Sequence, residues 1–217
     1  MNPKTLLIVY HSMTGGTAQM AQAAAEGAGD EAGVQVRLLR APEAQPDDVL
    51  AADGYVFATP ENLAAMAGLM KDFFDRCYYA ALDRLNGRPY AGLVCAGSDG
   101  QNAVRQLERI ATGWRLRQVA PTLIVCTHAQ TPEAILRPKQ IGAADLAQCR
   151  EVGAALAAGL ALGVYWWLMG ERPAQGGRGC GFQSGAHRRR EVERIAREEA
   201  AQDLAPPKLE DRRRDVP

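Results

Sequence analysis

The chain has 217 residues, of which 47% are hydrophobic, and its 25 basic and 25 acidic side chains give a formal net charge of zero. This apolar fraction rules out wholesale disorder, and the neutral balance argues against a nucleic-acid partner held by a broad basic face. A chain of this length can bury one good hydrophobic core.

Charge is unevenly distributed along the chain. Residues 1–170 carry 14 basic and 16 acidic side chains, whereas residues 171–217 carry 11 and 9. We therefore predict one sparsely charged domain over 1–169. A Gly/Arg-rich linker and a mixed-charge tail would follow over 170–217, and we expect that tail to be disordered or partly helical.

Apolar runs and helical periodicities alternate along the predicted domain. Short continuous apolar runs predict strands buried on both faces, at 6–10, 35–39, 54–58, 90–96 and 123–126. Apolar residues at helical spacing predict helices at 15–31, 63–85, 102–112 and 143–168. This alternation is typical of an α/β fold, and we predict a doubly wound five-stranded parallel sheet of the flavodoxin-like order 2-1-3-4-5. Ligands of such sheets bind beyond the carboxyl ends of the strands, beside strand 1.

Neither the cysteines nor the longest uncharged stretch predicts a disulfide framework, a zinc site or a membrane span. The cysteine count is five, with no pair at C-x-x-C spacing, so we expect reduced thiols, no zinc site and a cytoplasmic protein. Residues 152–169 carry no charge but are rich in Ala and Gly, which contribute little to membrane insertion. We interpret them as a buried last helix and not a membrane span, with a membrane or interface role as the alternative.

The turn after the first predicted strand suits a phosphate group. Residues 11–17 read His-Ser-Met-Thr-Gly-Gly-Thr and open directly into a helix. Its glycines allow close approach of the backbone, its hydroxyls are donors, and a helix N-terminus offers free N–H groups and partial positive charge. The alternative is an ordinary capped helix after a tight turn.

Other phosphate-handling motifs are missing from this turn. It contains neither the Gly-Lys-Ser/Thr of a Walker A loop nor a G-x-G-x-x-G fingerprint. It also lacks the Cys and Arg that a phosphatase of this topology needs, and the acidic cluster of a receiver domain. A phosphate here would be held by neutral donors and the helix dipole.

Two further loops should meet the first one at the same edge of the sheet. Residues 59–63, Thr-Pro-Glu-Asn-Leu, follow the third strand, and residues 96–100, Ala-Gly-Ser-Asp-Gly, follow the fourth. Each alone is an ordinary strand-to-helix loop, but their joint placement around one crevice predicts a binding site. Asp99 could bond the edge of a bound ring or simply cap the following helix.

With these three loops, the sequence resembles a known family, the flavodoxin-fold FMN proteins. It is most similar to their NAD(P)H:quinone oxidoreductases and NADPH-dependent FMN reductases. Residues 10–17 resemble the family's FMN phosphate loop, and residues 59–76 resemble its T-P loop with a Met-Lys-x-Phe-x-Asp helix. Residues 95–100 are a weaker match, and the resemblance covers roughly 5–168. The chain departs from the pattern at Glu61, where quinone reductases often have a basic residue, and in having no loop aromatics.

The resemblance implies FMN as the cofactor, NAD(P)H as the co-substrate and a quinone-like electron acceptor. It also implies a homo-oligomer, dimer or tetramer, with no nucleic-acid partner. The residues that the three loops would contribute to the cofactor site are Ser12, Met13, Thr14, Gly15, Gly16, Thr17, Thr59, Pro60, Glu61, Asn62, Leu63, Ala96, Gly97, Ser98, Asp99 and Gly100.

We predict no catalytic side chain and no metal site, because a bound flavin itself carries the difficult chemistry. His11 and His128 are candidate proton relays, with ordinary exposed or hydrogen-bonded histidines as the simpler interpretation. The alternative functions are a flavodoxin-type electron carrier without nicotinamide turnover, and a protein that keeps the fold but has lost the site. Carrier flavodoxins are strongly acidic, which the predicted domain is not.

Overall fold

The computed structural model describes residues 3–167, in which strands and helices alternate. The strands are β1 (Lys4–Tyr10), β2 (Val34–Arg40), β3 (Gly54–Asn62), β4 (Ala65–Met66), β5 (Pro89–Ala96), β6 (Arg117–Gln118) and β7 (Leu123–Cys126). The helices are α1 (Gly16–Gly29), α2 (Pro46–Ala51), α3 (Gly68–Ala81), α4 (Gln101–Gly113), α5 (Pro132–Leu136), α6 (Ala143–Ala161) and α7 (Val164–Trp167). The predicted tail over 170–217 lies outside the described residues.

The sheet confirms the predicted doubly wound topology. Its order is β2-β1-β3-β5, with all these neighbours parallel, and β6 and β7 both pair with β5. The predicted fifth strand is β7, and the two-residue β6 pairs with the other end of β5. The predicted order 2-1-3-4-5 therefore corresponds to β2-β1-β3-β5-β7, with β4 and β6 as extra strands too short for a sequence pattern.

The helix predicted over 63–85 is wrong at its start. The chain continues β3 through Asn62, turns at Leu63 and Ala64, and returns as the antiparallel β4, so that α3 begins only at Gly68. Apolar residues in this hairpin happen to continue the helical periodicity of α3. The predicted last helix is also divided, because Gly163 adopts a left-handed φ of 68° between α6 and α7.

Residues on the two faces of the sheet form two hydrophobic layers, which explains why the predicted strands are continuously apolar. Along β1, Leu7 and Val9 pack with the layer under α2, α3 and α4, while Leu6 and Ile8 pack with the layer under α1 and α6. Phe57 is the centre of the first layer, where it contacts the rings of Tyr55, Phe73, Phe74, Tyr90 and Trp114.

The small residues of the last helix pack against another helix. A Cβ on Gly153 of α6 would overlap the backbone of Ala24 in α1, and one on Gly27 of α1 would overlap the carbonyl of Arg150. The glycines thus let α1 and α6 approach with their backbones nearly in contact. Within residues 3–167, no helix has both the length and the apolar character that crossing a bilayer requires.

Candidate functional site

A cavity of about 530 Å³ opens at the carboxyl edge of the sheet, where the predicted loops meet. Its volume lies in the range of pockets for small ligands and cofactors. It is lined by Ser12, Met13, Thr14, Gly16, Thr17, Pro60, Glu61, Asn62, Leu63, Ala64, Cys95, Ala96, Gly97, Ser98, Thr127, Ala129, Ile135, Leu136 and Lys139. The three loops therefore share one concave surface, as parallel strands require.

The loop after β1 leads into the N-terminus of α1 at the cavity wall. Gly15 caps the helix in a left-handed conformation with φ of 87°, and its N–H donates to Ser12 Oγ at 3.1 Å. The first N–H groups of a helix have no acceptor within the helix, so those at Gly16 and Thr17 are available to a ligand. The helix dipole adds partial positive charge at the same place.

Thr17 is the clearest sign that this wall is built for a ligand. Its side chain lines the cavity and is 1% exposed, yet its Oγ1 makes no hydrogen bond of ordinary geometry. The Cys95 thiol lies beside it, and sulfur is a weak partner. Buried hydroxyls nearly always have a good partner, and a ligand group bound against this wall would supply one to Thr17. The donors of this loop fit a phosphate group.

Backbone and side-chain contacts from α4 hold the β3–β4 hairpin on the opposite wall. Glu61 Oε2 accepts a hydrogen bond from the N–H of Gly100 at 3.0 Å. Gln106 accepts one from the N–H of Met66 at 3.0 Å, and Asn102 donates to the carbonyl of Ala64. The Glu61 carboxylate is therefore hydrogen-bonded to the residue that caps the start of α4.

The turn of this hairpin places two residues in a conformation that favours glycine and asparagine. Leu63 and Ala64 have φ of 50° and 58° and form a two-residue connection. Such connections prefer Asn-Gly, because a Cβ in the left-handed region is strained. We expect Ala64→Gly to raise the free energy of unfolding by about 0.5–1 kcal/mol, measured by urea denaturation of the ligand-free protein. No gain, or a loss, would contradict the strain.

The segment 127–141, which includes α5, is a fourth wall that sequence reasoning missed. The side-chain amide of Gln19 donates to the carbonyl of Lys139 at 2.7 Å and accepts from the N–H of Ile141 at 3.2 Å. The N–H of Lys139 donates to the carbonyl of Thr14 at 2.7 Å. These bonds attach the segment to the loop after β1 and the start of α1. No local pattern in the sequence predicts a contact between residues so far apart in the chain.

The ammonium group of Lys139 is occupied by the C-terminal end of α5. Its Nζ donates to the carbonyls of Ala134, Ile135 and Arg137 at 2.7–2.8 Å. A lysine at this position satisfies helix-end carbonyls that have no partner within the helix. Although Lys139 lines the cavity, its charge is directed to α5.

Twelve of the sixteen predicted binding residues line the cavity, and four do not. Gly15 and Gly100 cap helices in left-handed conformations, and the hydroxyl of the buried Thr59 accepts from the N–H of Ala67. Asp99 is exposed and has neither a cavity-lining position nor a capping hydrogen bond. The assignment of these residues to a cofactor stays a proposal.

The two candidate relay histidines occupy different settings, and neither lines the cavity. His128 has a left-handed φ of 53° between two lining residues. His11 is 4% exposed, and its Nδ1 has no hydrogen-bond partner. Burial, with a smaller contribution from the charge of Arg40, lowers the pKa of His11 from its ordinary value of 6.5.

His11 should make the protein less stable in mild acid. Its lowered pKa means that the unfolded chain takes up a proton near pH 6.5 before the folded chain does, so stability falls as pH decreases below that value. We expect the loss of unfolding free energy between about pH 7.5 and about pH 5.5 to be smaller in His11→Asn. Urea denaturation at both pH values measures it. Equal losses in both proteins would show that His11 is not responsible.

The described residues contain no group of three or more His, Cys, Asp or Glu side chains that could hold a metal ion. Cys77, Cys95, Cys126 and Cys149 are free thiols. Burial raises the pKa of the Cys95 thiol, which lines the cavity, and raises that of Cys149 to about 11. The Cys95 and Cys149 thiols are therefore protonated at neutral pH and act as small hydrophobic groups.

The parallel sheet and the cavity beside β1 define a flavodoxin-fold protein with a ligand site at the topological switch point. The sequence model of the family described as NADPH-dependent FMN reductase matches residues 5–130. That is more than half of the chain, and the protein belongs to this family. The predicted family is thereby confirmed, and the predicted FMN and NAD(P)H agree with the family's description.

Similar curated proteins include quinone dehydrogenases and a flavodoxin. An "NAD(P)H dehydrogenase (quinone)" of Acidithiobacillus ferrooxidans is 38% identical over 91 residues, with 33% of this chain and 46% of the relative covered. A protein of the same name from Brucella ovis is 31% identical over 146 residues, with 57% of this chain and 71% of the relative covered. A "Flavodoxin" of Aquifex aeolicus is 43% identical over 70 residues, 32% and 38% respectively. The chain spans less than half the length of the first and third of these.

Solved structures support the fold. An archaeal flavodoxin matches with a TM-score of 0.58 at 18% identity, over 71% of this chain and 96% of that one. The flavodoxin, WrbA-like protein of Agrobacterium tumefaciens matches with a TM-score of 0.57 at 20% identity, over 74% and 98%. At such identities the likeness establishes the flavodoxin-like fold alone.

Proposed function

We propose that this protein is an FMN-dependent oxidoreductase that takes electrons from NAD(P)H and passes them to a quinone or a similar small acceptor. The observation that carries the proposal is the buried hydroxyl of Thr17, which has only the weakly bonding Cys95 thiol beside it, on a cavity wall formed by the N-terminus of α1. Membership of the FMN reductase family and the names of the relatives support the same activity.

The cavity offers distinct donors and walls to such a cofactor. The first N–H groups of α1 and the hydroxyls of Ser12, Thr14 and Thr17 would hold the phosphate. The ends of β3 and β5 and the segment 127–141 provide the remaining walls. When bound, FMN accepts electrons from the nicotinamide and gives them to the acceptor. The net reaction oxidises one NAD(P)H, takes up one proton and reduces one quinone to the hydroquinone.

The titratable side chains that line the cavity are otherwise engaged. Glu61 accepts from the N–H of Gly100, the ammonium of Lys139 caps α5, and burial raises the pKa of the Cys95 thiol. Within the described residues, none of them is poised as a general acid or base. We therefore assign no catalytic residue, and the role of the chain is to bind, orient and shield.

Two measurements test the proposal in order. The visible absorption of the purified protein, before and after addition of FMN, should show a bound flavin with a saturable titration. The loaded protein should then oxidise NADPH rapidly when benzoquinone is present and slowly without it. A protein that stays colourless and does not bind added FMN would refute the proposal.

The name of the Aquifex relative favours a second candidate, a flavodoxin-type electron carrier. The near-neutral charge of residues 1–170 speaks against it, because carriers dock through strongly acidic surfaces. Bound FMN without NAD(P)H oxidation, together with reduction by a flavodoxin reductase, would establish the carrier. Homo-oligomerisation and a cytoplasmic location stay predictions.

A further inference from the structure

Exposed apolar side chains gather around the mouth of the cavity. Met13, Leu63, Ile135 and Leu136 all line it, with exposed fractions of 72%, 101%, 52% and 78%. They come from three separate segments: the loop after β1, the hairpin turn and α5. A single exposed leucine is ordinary, but apolar side chains that converge on one opening indicate a binding surface.

The backbone makes the position of Leu63 unusual. It lies in the left-handed region with φ of 50°, where asparagine or glycine is the common residue. Its side chain is fully exposed at the cavity mouth, so no packing against the residues that the structure describes compensates the strain. A large apolar residue is thus held where folding alone would favour a small polar one.

The two charged side chains that line the cavity are both bonded to the backbone. The ammonium of Lys139 donates to three carbonyls of α5, and the Glu61 carboxylate accepts from the N–H of Gly100. Ala64 and Ala129 also line the cavity. The four side chains therefore surround the opening of a cavity whose two charged lining residues, Glu61 and Lys139, are already hydrogen-bonded to the backbone.

From this arrangement we propose that Met13, Leu63, Ile135 and Leu136, here called the apolar rim, bind an aliphatic tail on the electron acceptor. The inference rests on the proposed function and deepens it. The acceptor class is a quinone whose ring enters the cavity and whose alkyl chain lies across the rim. Each methylene group that leaves water on the rim should improve binding about fourfold.

The experiment compares a dimethoxy-methyl-benzoquinone with the same ring carrying a decyl chain, as oxidants of the FMN-loaded protein with NADPH. We expect kcat/KM to be at least about tenfold higher for the decyl compound, since two or three methylenes should be covered. The double variant Leu63→Ser/Leu136→Ser, compared when saturated with FMN, should bring this ratio to within about twofold of one.

Leu162→Ser is the matched control, because Leu162 is 78% exposed like Leu136 but does not line the cavity. It should keep the wild-type ratio. The proposal would be overturned if the wild type and the double variant had the same ratio of kcat/KM for the decyl quinone to kcat/KM for the bare ring. It would also be overturned if Leu162→Ser lowered this ratio as much as the double variant does.

Equilibrium dialysis without NADPH gives a readout that is independent of turnover. The protein should retain the decyl quinone better than the bare ring, and the double variant should lose that difference. If the protein neither binds FMN nor oxidises NADPH, the proposed function fails. Dialysis then still tests whether the apolar rim binds an alkyl chain. Co-sedimentation with phosphatidylcholine vesicles that the double variant abolishes would make the rim a membrane contact and overturn the proposal.

Discussion

Thr17→Val should weaken the binding of FMN by roughly 10- to 100-fold, because it removes a hydrogen-bond donor to a charged phosphate. Valine has nearly the shape of threonine, so packing at this buried position is kept. The ligand-free protein should become more stable by about 1 kcal/mol, since its buried hydroxyl has no ordinary hydrogen bond to lose. FMN fluorescence titration measures the loss of affinity, and urea denaturation measures the gain in stability of the ligand-free protein.

Thr122→Val is the control for this prediction. The Thr122 hydroxyl bonds Glu108 and Gln118, away from the cavity, so its loss should lower stability and leave FMN affinity unchanged. An unchanged FMN dissociation constant in Thr17→Val would show that the Thr17 hydroxyl does not contact the ligand.

Gly16→Ala should lower the free energy of unfolding by about 1–3 kcal/mol and weaken FMN binding along with it. A Cβ at this position would lie 2.8 Å from Cys95 Sγ and 3.2 Å from Cβ of Lys139. The Cys95 thiol at the end of β5 must then rotate or shift, and the segment 127–141 must move slightly away from the loop after β1. Because both line the cavity, the walls around the proposed phosphate position would separate.

A second substitution shows whether the contact with sulfur is the cause. Cys95→Ala removes the nearer obstacle, so the double variant Gly16→Ala/Cys95→Ala should recover about 1 kcal/mol or more relative to additive effects. Gly29→Ala provides the control, because a Cβ there meets nothing within 4 Å. Strict additivity in the double-mutant cycle would contradict this explanation.

The parts that the sequence predicted well are those governed by local chemistry. Continuous apolar strands, helical periodicity and the alternation between them identified the five principal strands and their order. The carboxyl-edge rule then selected the three loops, and twelve of their sixteen candidate residues line the observed cavity. The hydroxyls and glycines before α1 could be recognised in the sequence because the features that would suit a phosphate at a helix N-terminus are local ones.

The parts that were missed depend on contacts between distant residues. The β3–β4 hairpin has no glycine or asparagine at its turn, and α4 side chains hold it in a place that periodicity assigned to helix. The amide of Gln19 reaches Lys139 and Ile141, which places the segment 127–141 at the cavity. Local propensity is weak in such short segments, so packing decides their conformation.

The sequence alone thus determined the fold class, the edge of the sheet that carries the site and the family, because each depends on patterns within a few residues. Only the tertiary structure determined that the Thr17 hydroxyl is buried without an ordinary hydrogen bond, that Glu61 and Lys139 are already hydrogen-bonded, and that four exposed apolar side chains surround one opening. These are properties of atoms brought together from separate segments, and spacing along the chain carries no record of them.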